Sequence, residues 1–554
     1  MRRVGIVIGA LGAALVLTSS DDAHADPVQQ PSPDPQVGPL HPVTSDDDPH
    51  DDFAAFPLAT PHDKHYLRAG LEISAVVFVG FVDYLLNTTD RGGELRQGDA
   101  RWALRYDWQD LRAKFVGTGY ELDSNKFPTN YVSHPFAGTM YYTAARSNHL
   151  SFAESWIFST FGSLVWEYFG EIREKVSIND VIVTPTAGAA IGESMMQMSG
   201  FFDRGKNTVS NRILSTIFAP LKAINYVFDG AEPRRTTMPD GLGFPTEPYH
   251  RFELYGGSGL TVQQPTNVSA KGHYDQATYA DVHFGLDMSV ANLPGYSGAG
   301  RHARLFDDGN IADLSFDMTM SRGDLVHGVF ATRVVPIGFY YRDASTDRDG
   351  RVRGNGALVG MRIGFDYGAH DYDRDRARPR DLISNVSPIG IAAEHTFDAG
   401  GLRLRTGLDV YGSIAGVQPY ALTDARLARI LPTDEVGLQV ATRNNGYYHG
   451  LGVSVVPMVN ARVGAFELDG SLRLDNYRAI EGLDEDPITN AAPVQMSDRR
   501  SVIRGSAAWR CCSADASAWR LAIGAQRATR AGDVGPVHAS RSETSLFGTL
   551  GLVF

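Results

Sequence analysis

From about residue 250 to its end, the chain alternates apolar and polar residues with a period of two, and this constrains it most. Val282, Phe284, Leu286, Met288 and Val290 alternate with Asp281, His283, Gly285, Asp287 and Ser289. Leu314, Phe316, Met318 and Met320 do the same, as do Val359, Met361, Ile363 and Phe365, then Leu402 to Val410 and Phe466 to Leu474. Successive side chains on a strand face opposite ways, so these runs form sheet with one apolar and one polar wall. A soluble sandwich and a membrane β-barrel both satisfy that pattern. Three features favour the barrel. Several runs reach ten residues or so, the length a tilted strand needs to cross hydrocarbon. Full charges such as Arg403, Arg405 and Asp409 sit on the polar face, which suits a wet lumen. Leu546, Leu550, Leu552 and the terminal Phe554 share one face. The expectation is an antiparallel up-and-down barrel of about twelve strands over 250–554. Short turns such as Ala399-Gly400-Gly401 alternate with long polar connections at Asp343–Arg353, His370–Asp381, Leu422–Asn445 and Ala479–Arg500.

A chain of 554 residues is too long for one core. Its 51 Lys+Arg against 64 Asp+Glu, a net charge of -13, argues against a nucleic-acid partner. Its two cysteines, Cys511 and Cys512, are adjacent, which excludes a disulfide framework. Arg2 and Arg3, the apolar run Val4–Leu17 and Ala23-His24-Ala25 read as a signal peptide over 1–25. The Pro- and Asp-rich segment 26–63 reads as a mobile linker. Export plus a barrel implies the bacterial outer membrane and contact with its lipid. A last strand that alternates and stops on Phe554 resembles the assembly signal of bacterial outer-membrane barrels. That resemblance implies the barrel-assembly machinery as a partner.

Residues 64–235 read as helical. Ser133-His134-Pro135 is a plausible helix start, with Ser133 as cap. Ser151-Phe152-Ala153-Glu154 and Ser177-Ile178-Asn179-Asp180 are expected to open two more helices as capping boxes. Pro185 should kink or loosen the last of these. Gly188 and Gly192 allow a close backbone neighbour. Leu71–Leu86 is strand or helix. The apolar runs are too short and interrupted for transmembrane helices, so the module is expected to plug or cap the barrel.

Glu167, Glu171 and Glu174 are spaced to share one helical face, where like charges repel unless Arg, His, protonation or a metal compensates. Asn130 to Pro135, Ala145 to Asn148, Trp166 to Glu171, Ser177 to Asp180, Thr184-Pro185 and Gly188 to Glu193 occur in order. Together they resemble a family of exported Gram-negative proteins known only as a domain of unknown function (number 3943), over roughly 70–200. The resemblance implies location and architecture, and no chemistry.

Three functions stay open, the first of them favoured. In the first, the protein maintains the envelope, with Arg146, Asp180 and Glu193 in a polar helical cluster filling the lumen. In the second it is a hydrolase of lipid or lipopolysaccharide, with His134 as base beside Glu167 or Glu171. Glu171, Glu174 and Asp180 could then hold a divalent cation; no cofactor is specified. Ser147 or Ser151 would complete a Ser-His-acid site if it lay near His134. The third is a gated channel or transporter. The acidic runs at Asp343–Gly350 and Asp371–Asp375 lack the offsets of calcium loops and read as solvated loops.

Overall fold

A computed structural model describes residues 63–554 apart from 87–107, 118, 172–173, 234, 237–238, 247, 265–266, 269–275, 294, 373–379, 432–434, 482, 484–491 and 515–516. The expected signal peptide, nearly all of the linker, and Asp373 and Asp375 lie outside the described residues.

Twelve long strands close an antiparallel barrel. They are β3 (Tyr249–Gln263), β5 (Ala277–Ala291), β7 (Ile311–Ser321), β8 (Asp324–Thr346), β9 (Val352–His370), β10 (Asp381–Ala399), β11 (Leu402–Val417), β12 (Tyr448–Val463), β13 (Phe466–Ala479), β14 (Met496–Ala514), β15 (Ser517–Val534) and β16 (Val537–Val553). Short β4 (Asn267–Val268) and β6 (Gly300–Phe306) add to β16 and β8. Closure runs through β16, which pairs with both β15 and β3. The connection at 343–353, expected to be long, is a tight hairpin at 347–351, because β8 and β9 pair as far as Thr346 and Val352. Its Asp347 accepts the backbone N–H groups of Asp349 and Arg351.

The polar wall faces inward and is cross-braced. Arg333 contacts Asp313, Glu394 and Asp409 at 2.8–2.9 Å. Arg530 of β15 meets Asp381 of β10 at 3.0 Å, and His370 of β9 meets Glu543 of β16 at 2.8 Å, across the lumen. The apolar wall faces outward, with Leu260, Val359, Ile389, Ile391, Leu468, Ile523, Leu546 and Leu550 all more than half exposed. An outward apolar band around a charged interior is the distribution of a barrel solvated by lipid.

The helices are α1 (Tyr66–Leu86), α2 (Trp108–Phe115), α3 (His134–Ser147), α4 (Phe152–Val165), α5 (Ile178–Arg204), α6 (Val209–Phe218) and α7 (Pro220–Asp229). Two-residue strands β1 (Tyr120–Glu121) and β2 (Val176–Ser177) tie their loops together in parallel. The helical module is present as expected, but it neither fills the lumen nor plugs the barrel. Val183, Ala187 and Ala190 of α5 pack against Ala312, Val334, Ile363, Phe365 and Val386. Each of these strand residues neighbours an inward-facing one: Asp313, Arg333, Arg362, Asp366, Asn385. They therefore point outward. Lower on α5, Met198, Phe201 and Phe202 pack on Phe252, Met288, Val290 and Leu314, outward by the same parity. Helix α5, 27 residues and about 40 Å long, thus runs down the outer wall. Phe78 of α1 and Ile157 and Phe161 of α4 are 63–66% exposed, extending the apolar band over the module. Among the described residues no helix is by itself long and apolar enough to cross a membrane.

One mouth of the barrel is plugged from within by the connection after β11, which carries short helices α8 (Leu422–Leu427) and α9 (Val440–Asn445). Tyr420, Leu422, Ala425 and Leu438 pack on the inward-facing Ile383, Ala415, Val417, Tyr448 and Tyr477.

Candidate functional site

The π-turn Thr129–Ser133 runs into α3 and a second, Trp166–Gly170, follows α4. Such turns re-aim side chains at helix ends and are frequent at functional sites. Ser133 makes no side-chain cap, because the backbone enters α3 already helical. At α4 the expected capping box is complete: Ser151 Oγ accepts from the Glu154 N–H and the Glu154 carboxylate accepts from the Ser151 N–H. At α5 only half forms, with Ser177 Oγ accepting from the Asp180 N–H at 3.1 Å. Pro185 lies inside α5, which continues unbroken to Arg204. Gly188 meets Gly138 of α3 so closely that a Cβ there would lie 2.3 Å from the Gly138 carbonyl carbon.

This crossing brings His134, at the start of α3, to Asp180, at the start of α5, with Nε2 to Oδ2 at 3.5 Å. Asp123, which the sequence reading missed, joins them; it stands in an irregular polar segment with no motif to mark it. Its backbone N–H donates to Asn179 Oδ1, whose amide donates to Asp180 Oδ1, both at 2.9 Å. His134, Glu171 and Glu174 line one cavity of about 320 Å³. Its other wall is apolar, with Val76, Val79, Phe136 and Met140.

Glu167 lies fully buried, its Oε2 accepting from the Ser177 N–H at 2.8 Å. The α-helix ends at Val165, so Glu167, Glu171 and Glu174 do not share one helical face as the spacing suggested. Burial, then the charge of Asp180, pushes the Glu167 carboxyl well above the ordinary carboxylate range. Burial, then Glu174 and Glu167, does the same for Glu171. The buried Lys114 ammonium, another residue the sequence did not mark, donates to the carbonyl oxygens of Glu167 and Glu171. Burial lowers its own pKa against the pull of those carboxylates.

Arg146 and Glu193 form a separate centre. Arg146 Nε donates to Glu193 Oε2 at 2.9 Å, and Tyr142 and Gln197 donate to the same carboxylate. Arg146 also reaches Asp308 of the barrel at 3.1 Å. Asp180, grouped with this pair by the sequence reading, lies thirteen residues up α5, about 20 Å away along the axis. Ser147 closes α3 at the end opposite His134, and Ser151 is spent as a cap, so neither reaches it. Ser163 does line the cavity, its Oγ donating to the Asp180 carbonyl at 3.3 Å.

Residues 119–221 match the family model of a domain of unknown function (DUF3943). The matched stretch contains Asp123, His134, Glu167, Glu171 and Asp180, the Arg146–Glu193 pair and all of α5. No curated protein matches the chain. Solved structures similar to its barrel include a loop-deletion mutant of OmpT, an outer-membrane protein of Vibrio cholerae, at 7% identity and TM-score 0.17, over 56% of this chain and 99% of that one. A FadL homologue of Pseudomonas aeruginosa aligns at 9% identity and TM-score 0.22, over 56% and 91%. The outer-membrane protease OmpT of Escherichia coli aligns at 10% and 0.15, over 57% and 98%. Likeness at this level carries no information on activity.

Proposed function

We propose that this is an outer-membrane protein whose closed barrel anchors a lipid-directed helical module, and that the module hydrolyses a lipid or lipopolysaccharide at the His134 cavity. One observation carries the reading: a cavity with an apolar wall and a His/carboxylate end lies in helices packed on the outward face of the barrel. Such a cavity suits a molecule with an apolar tail and a polar head. His134 would act as base with Asp180 orienting its ring, and Glu171, partly exposed and with its carboxyl pushed above the ordinary range by burial, would return a proton. Glu167 would act at one remove, by fixing the start of α5. The sealed Arg146–Glu193 centre fits a purely structural role. The braced, plugged lumen speaks against a channel. The outward Leu546, Leu550, Leu552 and Phe554 support recognition of the last strand by the assembly machinery.

The test uses purified full-length protein incubated with outer-membrane lipid extract and read by mass spectrometry. A lipid species cleaved by the wild type and spared by His134→Ala is the expected result. An unchanged lipid profile would overturn the reading.

A further inference from the structure

Resting on that lipid-site reading, we propose that Asp123, His134 and Asp180 bind one divalent cation of the Zn²⁺ or Mn²⁺ kind. One ligand atom from each residue lies within 4.8 Å of the other two, in the described structure. All three come from different elements: a loop, the start of α3 and the start of α5. Their convergence is therefore a product of the fold and not of local sequence.

Two further observations point to a ligand at this place. Thr184 lies one turn beyond Asp180 on α5, is 3% exposed and lines the same cavity. Its Oγ1 has no hydrogen-bond partner among the described residues, a costly state for a buried hydroxyl. Second, the carboxylates are held from behind. Asn179 bridges the Asp123 backbone to Asp180 Oδ1, and the Asn125 amide donates to Asp123 Oδ2 at 2.9 Å. Outer contacts of this sort orient metal ligands. Asp180 Oδ2 stays turned toward His134.

The donor set decides the class of ion. One imidazole and two carboxylates, with a further position open to the cavity, suit a first-row cation in a four- or five-coordinate site. Calcium would need six to eight oxygens. With the cation bound, His134 would serve as its ligand in place of acting as base, and the cation would meet the polar end of whatever fills the cavity, as a Lewis acid. A second group, His65, His149 and Asp229, is equally compact. There the Asp229 carboxylate is already clamped by Arg68, at 2.5 and 2.9 Å, so it serves as the control.

The experiment takes full-length protein in detergent, strips it with chelator, titrates it with Zn²⁺ by calorimetry and counts bound metal by mass spectrometry. One equivalent is expected for the wild type and for His149→Ala, with affinity falling about tenfold or more in Asp123→Asn and Asp180→Asn. A measurement free of folding artefacts uses Cu²⁺-loaded wild type, whose electron spin resonance should show coupling to a single imidazole nitrogen. No bound equivalent, binding that survives both substitutions, or coupling to two imidazoles would overturn the site. The lipid assay is read separately. Cleavage that needs His134 but ignores chelator, in protein that binds no metal, overturns the cation and leaves the lipid reading intact. Stoichiometric metal with no lipid change does the reverse.

Discussion

Glu167 is sealed from solvent, its Oε1 has no partner among the described residues, and Asp180 lies nearby, and together these outweigh the Ser177 N–H and the Lys114 ammonium that favour its charge. Its native pKa is raised above the ordinary 4.5. Folding therefore favours the protonated form. The stability this contributes is full below pH 4.5 and is lost as pH rises through the raised native value. The helical module should resist proteolysis better at pH 5 than at pH 8, and Glu167→Gln should flatten that dependence. A module equally resistant at both values would refute the assignment. The α3–α5 contact is as demanding: a Cβ on Gly138 would sit 1.8 Å from the Thr184 carbonyl oxygen. Gly138→Ala should cost about 1–3 kcal/mol or more in thermal unfolding of the module. At this scale the sequence was partly legible. Gly188 and Gly192 announced a close approach by their spacing. Asp123, Lys114 and the true neighbours of His134 did not, because each depends on which loop folds over which helix end.

Among the elements, α5 carries the most. Its upper end places Asp180 against His134, its middle holds Glu193 against Arg146, and its lower end packs on Phe252 and Met288. The middle contact fixes the module to the barrel, since Arg146 and Gln197 both reach the turn at Asp308–Gly309. Arg146→Ala leaves Glu193 buried without its cation. It should cost about 3–5 kcal/mol of module stability while the barrel keeps its resistance to heat in detergent. Equal loss in both parts would show that the two are not separable. Helix starts with a Ser-x-x-Glu box were readable, as at Ser151. The start at Ser133 was not, because a π-turn feeds α3 and the cap is never used. Period-two runs marked the strands well. They could not show that β8 and β9 stay paired through the acidic stretch at Asp343, where only the ends of the ladder decide the loop.

For the whole molecule, alternation settled that one wall is apolar and one charged, and with it the closed barrel. It did not settle the side on which the helices lie. An apolar helix face has no preference, by composition, between a lumen and an outer wall. What decides it is that the lumen is already occupied by ion pairs such as Arg333–Asp409 and by the plug after β11. A protein so braced should show no steady conductance in planar bilayers; open-channel steps by the intact chain would contradict the bracing. The arrangement on the outer wall is most directly tested by spin labels in lipid vesicles, in protein lacking Cys511 and Cys512. Phe161→Cys on α4 and Ile389→Cys on the bare barrel wall are 65% and 66% exposed in the native side chains. Both nitroxides should be relaxed strongly by oxygen and weakly by a water-soluble nickel chelate. A label at 161 that responds to the nickel chelate as one in open water does would place the helices away from the lipid-facing wall.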